Sequence, residues 1–366
     1  MIESLAVENY RSFESYRIDR LATVNLLVGR NNCGKTSLLE AVDFVAAKGS
    51  LASLVRTAIR RNEMVAAFDE DALTPHEYLP EMSHFFHGHA AGHESQFVID
   101  AATSGSFCVS IFKISMGENT AGRPQGSNGE MQVRRDENKF PVSAVLLFPD
   151  NSVAERGVVR FARRRSTNSA SPELAPVEFI TTSSSLDILT LSHLWNQIIR
   201  ASQEQQVVDA LQLVDSAIES VQFLTEAGAG AASILLGTSD RVSTDSRRVP
   251  LGSYGDGMKH LLALSMALAR TSDGVLLIDE IDTGLHYSVL TDVWKLVIET
   301  AIRNNVQVFA TTHSLDCLRG LDAVCQDRPD FAGEVLVHKL DRSLDFAVTL
   351  DAADFQMAIE QELEVR

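Results

Sequence analysis

Eight residues carry the clearest chemical potential in the chain: Gly29-Arg30-Asn31-Asn32-Cys33-Gly34-Lys35-Thr36, which has the spacing G-x-x-x-x-G-K-[ST]. The apolar run Thr23–Val28 predicts a strand ahead of them, and Leu38, Leu39, Val42 and Val45 predict a helix face behind them. In that setting the glycines let main-chain N–H groups turn inward around an anion, and the helix N-terminus adds partial positive charge. Lys35 places a point charge on β- and γ-phosphates, and Thr36 offers a hydroxyl to a magnesium ion. The predicted nucleotide contacts are Gly29, Asn31, Asn32, Cys33, Gly34, Lys35, Thr36 and Ser37.

A second segment supplies acid. Val275-Leu276-Leu277-Ile278 is an apolar strand ending in Asp279-Glu280. Asp279, at the strand's carboxyl end, is predicted to join Thr36 in the magnesium shell, and Glu280 to polarise an attacking water. His313 closes the next apolar run, Val308–Thr312, and could hydrogen-bond a γ-phosphate or that water. Gly252-Ser253-Tyr254-Gly255-Asp256-Gly257 leads into a helix marked by Met258, Leu261, Leu262, Ser265 and Leu268. A serine and glycines at a helix start can make an anion site.

These segments need a scaffold that brings strand ends together. Apolar strands alternating with helices over 250–320 predict a mainly parallel sheet covered on both faces. The whole chain, 1–366, reads as one α/β domain. Within it, 51–95 is a mixed, His-rich insertion and 96–180 an antiparallel β lobe with Phe97–Ile99, Phe107–Ile114, Ala144–Phe148 and Val177–Ile180 as strands. Residues 187–222 form a short helical hairpin, its second helix marked by Val207, Leu211, Val214 and Ile218, and 334–366 closes with strands and a helix.

Composition narrows the class. Apolar residues make up 45% and charged residues 22%, so the chain can bury a large core. Its apolar stretches fall far short of a membrane span, and four scattered cysteines fit a reduced, cytoplasmic protein with no membrane role. The net charge of −17 does not attract nucleic acid as a whole. Contact with DNA or RNA would need a local basic patch, such as Arg160–Arg165 or Arg56, Arg60 and Arg61.

Taken in order, the motifs resemble the ATP-binding-cassette (ABC) ATPases, in particular the soluble SMC-like and OLD-like heads, P-loop NTPases by fold. Gly29–Thr36 matches Walker A, and Asp279-Glu280 matches Walker B with its catalytic glutamate. Gly252–Gly257 resembles the signature loop, Asp282-Thr283-Gly284-Leu285-His286 the D-loop as OLD-like ATPases write it, and Thr312-His313-Ser314 the switch histidine. Asn9-Tyr10-Arg11-Ser12-Phe13 looks like the N-terminal motif whose arginine approaches the nucleotide.

The resemblance implies an ATPase that uses ATP and Mg2+, with Lys35, Glu280 and His313 catalytic. It also implies that Arg11, Ser253, Gly255, Gly257 and Asp282 serve the nucleotide. In such heads the signature loop of one copy closes on the phosphates held by another, so Ser253 and Gly255 would act in trans in a dimer or higher oligomer.

The chain departs from the pattern in two places. The stretch at the expected Q-loop, Phe179-Ile180-Thr181-Thr182-Ser183, carries no glutamine, and the chain continues only about fifty residues past His313 without the acidic cluster of a TOPRIM nuclease. Stand-alone heads of this kind resemble ATPase subunits of two-component antiphage systems, whose effector, a nuclease or toxin, is separately encoded. Two rival readings are an SMC-type DNA-maintenance head, disfavoured by the short hairpin, and a transporter subunit, disfavoured by the missing glutamine. The histidines His76, His84, His87, His89 and His93 read as a structural lobe and not a metal site. Asn138-Lys139 lacks the aspartate of a guanine-reading motif, so ATP is favoured over GTP, and Cys33 reads first as a small spacer.

Overall fold

In the computed structural model the described residues are 1–47, 51–67, 77–89, 94–103, 106–115, 143–147, 153–158, 177–181, 188–225, 232–239 and 246–361. The run Arg160–Arg165, the turns near 117–129 and 166–173, Asn138-Lys139, Thr182-Ser183, His76 and His93 lie outside them.

A six-stranded sheet forms the centre, in the order β10 (Val177–Ile180), β14 (Val275–Ile278), β15 (Gln307–Thr312), β3 (Val24–Val28), β16 (Val335–Lys339) and β17 (Val348–Leu350). All neighbours pair parallel except β16 with β17. β3, β14 and β15 are buried along their whole length because both faces are covered, which is why they read as continuous apolar runs.

Alternation along each strand divides the core in two. Val24, Leu26, Val28, Leu276, Ile278, Val308 and Ala310 face a layer that includes α3 (Ile188–Arg200), α4 (Glu204–Leu211), α5 (Asp256–Arg270), α6 (Leu290–Arg303), α7 (Leu315–Asp327) and α8 (Ala352–Glu360). Leu27, Val275, Leu277 and Phe309 face α1 (Lys35–Ala46) and an antiparallel sheet. That second sheet runs β2 (Phe13–Ile18), β1 (Ile2–Tyr10), β6 (Glu94–Thr103), β7 (Ser106–Ser115), β8 (Ser143–Leu147) and β9 (Val153–Val158). The remaining pieces are α2 (Leu51–Arg60), a ribbon of β4 (Met64–Ala67) and β5 (Glu77–Pro80), and a small sheet of β11 (Ile218–Thr225), β12 (Ala232–Ser239) and β13 (Ser246–Pro250).

Two sequence expectations are corrected. Val177–Ile180, grouped with the antiparallel strands, instead pairs parallel with β14 at the edge of the central sheet. The second hairpin helix stops at Leu211, where the Asp215 carboxylate accepts from the N–H of Ala217 and turns the chain, and Ile218 opens β11 opposite Thr238. The apolar spacing ran on through this turn, and periodicity alone does not distinguish a helix end from a strand start.

His338 on β16 is fully buried between Thr349 and Asn25. Its Nε2 lies 3.2 Å from Asn25 Oδ1, while the Asn25 amide nitrogen donates to Ala22 O and Val308 O. Burial, aided by the charge of Arg20, pushes the imidazole down from 6.5 to about 3. The unfolded chain therefore takes up a proton near pH 6.5 that the folded chain refuses until about pH 3. Stability from this site is complete above pH 6.5 and falls as pH drops through that window. Urea midpoints measured against pH should show a shallower acid limb for His338→Asn than for the unaltered chain, and parallel limbs would contradict the assignment.

Candidate functional site

The Gly29–Thr36 loop lies between β3 and α1, and its two glycines are required by what surrounds them. Gly34 has φ +100°, and a Cβ there would lie 2.2 Å from the Phe13 ring. Gly29 has φ +149°, and a Cβ would meet Leu340 O at 2.7 Å. The loop is thus pressed between the β1–β2 turn and the chain leaving β16. Lys35 Nζ donates to Gly29 O at 2.7 Å and Arg30 O at 3.0 Å, which sets the ammonium across the mouth of the loop. Among the described residues no side chain caps the start of α1, so its first-turn N–H groups lack a side-chain acceptor. Arg30, Asn31 and Asn32 are exposed, and Cys33 is buried with Sγ 4.0 Å from Lys35 Nζ.

Because β14, β15 and β3 are adjacent and parallel, their carboxyl ends meet at this loop. The Thr36 hydroxyl donates to Asp279 Oδ2 at 3.0 Å, joining segments 243 residues apart. Thr311, on the strand between them, donates to Asp279 Oδ1 at 2.7 Å and accepts the Glu280 N–H at 2.8 Å. Glu280 itself has φ +56°, a left-handed conformation costing about 1–3 kcal/mol in a non-glycine residue and frequent at functional sites. Its carboxylate is half exposed, accepts from the Thr283 hydroxyl at 3.2 Å and lies 3.9 Å from His313 Nδ1. Sequence reasoning missed Thr311 and Thr283. The one available signal was the doubled threonine before His313.

The glycine-rich loop and the turn after Glu280 form one unit. Gly257 and Gly284 touch so closely that a Cβ on Gly257 would lie 2.0 Å from Gly284 O. Thr312 donates to Asp282 Oδ1 at 2.6 Å, and His260 on α5 lies 3.2 Å from Ile281 O. Gly252, Ser253, Gly255 and Asp256 are exposed at the start of α5, and Gly255 takes φ +86°. Tyr254 turns back to donate to Asp215 at 3.0 Å. The structure therefore does not bring Ser253 and Gly255 to Lys35 by any contact within the chain, while Asp282 is held against Thr312.

Arg11, expected near the nucleotide, is held by carboxylates of its own chain. It is 4% exposed, ion-paired to Glu40 of α1 at 3.2 Å and Glu63 at 2.7 Å, with its guanidinium over the Phe85 ring. Burial alone would lower its pKa, but the charges around it, Glu40 foremost, raise it above its ordinary value. A guanidinium so enclosed braces the flank of α1. Ser37 is likewise buried, 3.5 Å from Arg61 Nη2. Arg60 and Arg61 of the basic group pair with Asp43 and Glu40, and Arg60 also stacks on Phe179. His84 and His89 approach to 3.2 Å, and among the described residues no group of three or more His, Cys, Asp or Glu could hold a metal.

Residues 117–318, over half of the chain, match the AAA family described as "AAA domain, putative AbiEii toxin, Type IV TA system", and residues 1–82 match the AAA ATPase domain family. The chain belongs to the AAA ATPases of this family. An "ATP/GTP phosphatase" of Helicobacter pylori is 25% identical over 355 residues, covering 91% of this chain and 90% of that protein. An Smc head bound to the C-winged helix domain of ScpA is 14% identical, with coverage of 96% and 97% and a TM-score of 0.49. A Pyrococcus furiosus Smc head with an extended coiled coil, bound to the C-terminal domain of ScpA, is 11% identical, with coverage of 99% of each chain and a TM-score of 0.48. This AAA protein hydrolyses ATP, and among its described residues no helix is long and apolar enough to cross a membrane.

Proposed function

We propose that the AAA protein is an ABC-type, OLD-like switch subunit in which two copies close on ATP and hydrolysis releases them, gating a separately encoded effector. The observation that carries this reading is the Gly257–Gly284 contact. It ties an exposed glycine–serine loop, aimed at solvent, to the turn that leaves Glu280. A loop so placed meets solvent, yet any movement of it reaches the acidic pair through one close-packed junction. A second copy supplies the phosphates, with Ser253 and Gly255 opposite the partner's loop.

Within one copy, Lys35 and the N–H groups of Gly29–Thr36 bind the phosphates. Glu280 takes the proton of the attacking water, with His313 and Thr283 orienting it. Thr36 and Asp279 fit magnesium, which favours hard oxygen ligands and takes one or two side chains together with nucleotide phosphates. When bound, the ion neutralises charge on the β- and γ-phosphates. The effector is a nuclease or toxin, by analogy with two-component antiphage systems.

The test is capture from the native host on Glu280→Gln with ATP, read against ADP. A nuclease or toxin retained only with ATP is expected. A membrane permease in its place, or turnover stimulated by DNA with no protein partner, would overturn the gating role.

A further inference from the structure

Thr311 occupies the strand between the two halves of the hydrolytic site, and its hydroxyl is fully committed there. Its Oγ1 donates to Asp279 Oδ1 at 2.7 Å and accepts the Glu280 N–H at 2.8 Å, while its own carbonyl accepts the Ile281 N–H at 3.1 Å. The residue is wholly buried. With one oxygen of Asp279 occupied by Thr311, the other, Oδ2, is left facing Thr36 at 3.0 Å. The same hydroxyl anchors the peptide at which Glu280 enters its left-handed conformation of φ +56°. One hydroxyl thus fixes the rotation of one carboxylate and the backbone that launches the next.

The register makes the arrangement specific to this position. Ile278 pairs with Ala310, and Thr311 pairs with Leu27 on the strand leading to the phosphate loop. The next residue, Thr312, points to the opposite face, where it holds Asp282. A residue shifted by one along β15 would reach the turn and not the acidic pair.

We propose that Thr311 is a positioning residue for hydrolysis, setting the Asp279 carboxylate for magnesium and the Glu280 carboxylate for water while touching neither substrate nor metal itself. This rests on the nucleotide-site reading above. Loss of an outer partner of a metal-binding carboxylate weakens metal affinity or activity by about 10- to 100-fold. Valine matches threonine in shape but lacks the hydroxyl, leaving the Glu280 N–H unpaired; serine keeps the hydroxyl and drops only a methyl.

The experiment compares Thr311→Val, Thr311→Ser and the unaltered protein in steady-state ATP hydrolysis and in binding of a fluorescent ATP analogue, with magnesium and with EDTA. For Thr311→Val we expect kcat to fall about 10- to 100-fold and the magnesium-dependent gain in nucleotide affinity to shrink, with binding in EDTA unchanged. Thr311→Ser should recover kcat to within a few-fold. Should the valine variant fail to fold, the serine variant still decides: a folded Thr311→Ser with kcat depressed ten-fold or more overturns the proposal. So does a folded Thr311→Val with unchanged kcat and magnesium dependence. If the unaltered protein binds nucleotide equally with and without magnesium, the metal reading of Thr36 and Asp279 fails separately from the role of Thr311.

Discussion

Replacing Glu280 by glutamine should leave ATP binding intact and slow turnover by about 10²–10⁴-fold, or ~3–5 kcal/mol of barrier. The amide keeps the shape of the side chain and its contact with Thr283 but is not a base. Of the acidic pair, Asp279 is held by Thr311 and Thr36, whereas the half-exposed Glu280 carboxylate is held by neither and is open to a water. Neighbouring groups should matter less. His313 lies 3.9 Å away and is itself half exposed, so His313→Ala should reduce kcat less than Glu280→Gln does. Single-turnover hydrolysis with pre-bound ATP measures the step directly, and equal rates for Glu280→Gln and the unaltered chain would remove Glu280 from the chemistry.

The second large effect belongs to binding. Lys35→Ala should weaken ATP roughly 10- to 100-fold, the loss of a charge-assisted hydrogen bond worth about 1.5–3 kcal/mol. Among the described residues Lys35 donates to carbonyls of its own loop, Gly29 and Arg30, and to the Cys33 sulfur, so its removal leaves no distant partner among them unpaired. Thermal unfolding of Lys35→Ala without nucleotide should therefore match that of the unaltered chain, while the stabilisation added by a given ATP concentration shrinks. ATP affinity that survives the substitution would mean that the loop amides alone hold the phosphates.

What the sequence discloses about this molecule follows from how local each feature is. The strand–loop–helix at Thr23–Val45 and the strand ending at Asp279 are contiguous, and their periodicity reports burial on both faces. The fate of Arg11 is not local. Its partner Glu63 stands 52 residues away, on a segment whose position depends on how α2 packs on α1. The motif that suggests a nucleotide contact for Arg11 carries no sign of the carboxylates that surround it. Thr311 was hidden for a related reason: only the parallel register of β14, β15 and β3 puts its hydroxyl between two acids that precede it by more than thirty residues. Ile218 shows the opposite limit, where correct apolar spacing continued across a change of element.

The account depends on a composite site made by two copies, and mixing two inactive variants tests it most directly. Lys35→Ala removes the phosphate anchor, and Ser253→Arg blocks the exposed loop proposed to meet the opposite copy. Each alone should hydrolyse ATP poorly. Mixed together, every heterologous pair has one site with an intact Lys35 facing an intact Ser253, and hydrolysis should return in proportion to the fraction of mixed pairs. A mixture as inactive as its parts, from proteins that fold and of which Ser253→Arg still binds ATP, would contradict the paired arrangement.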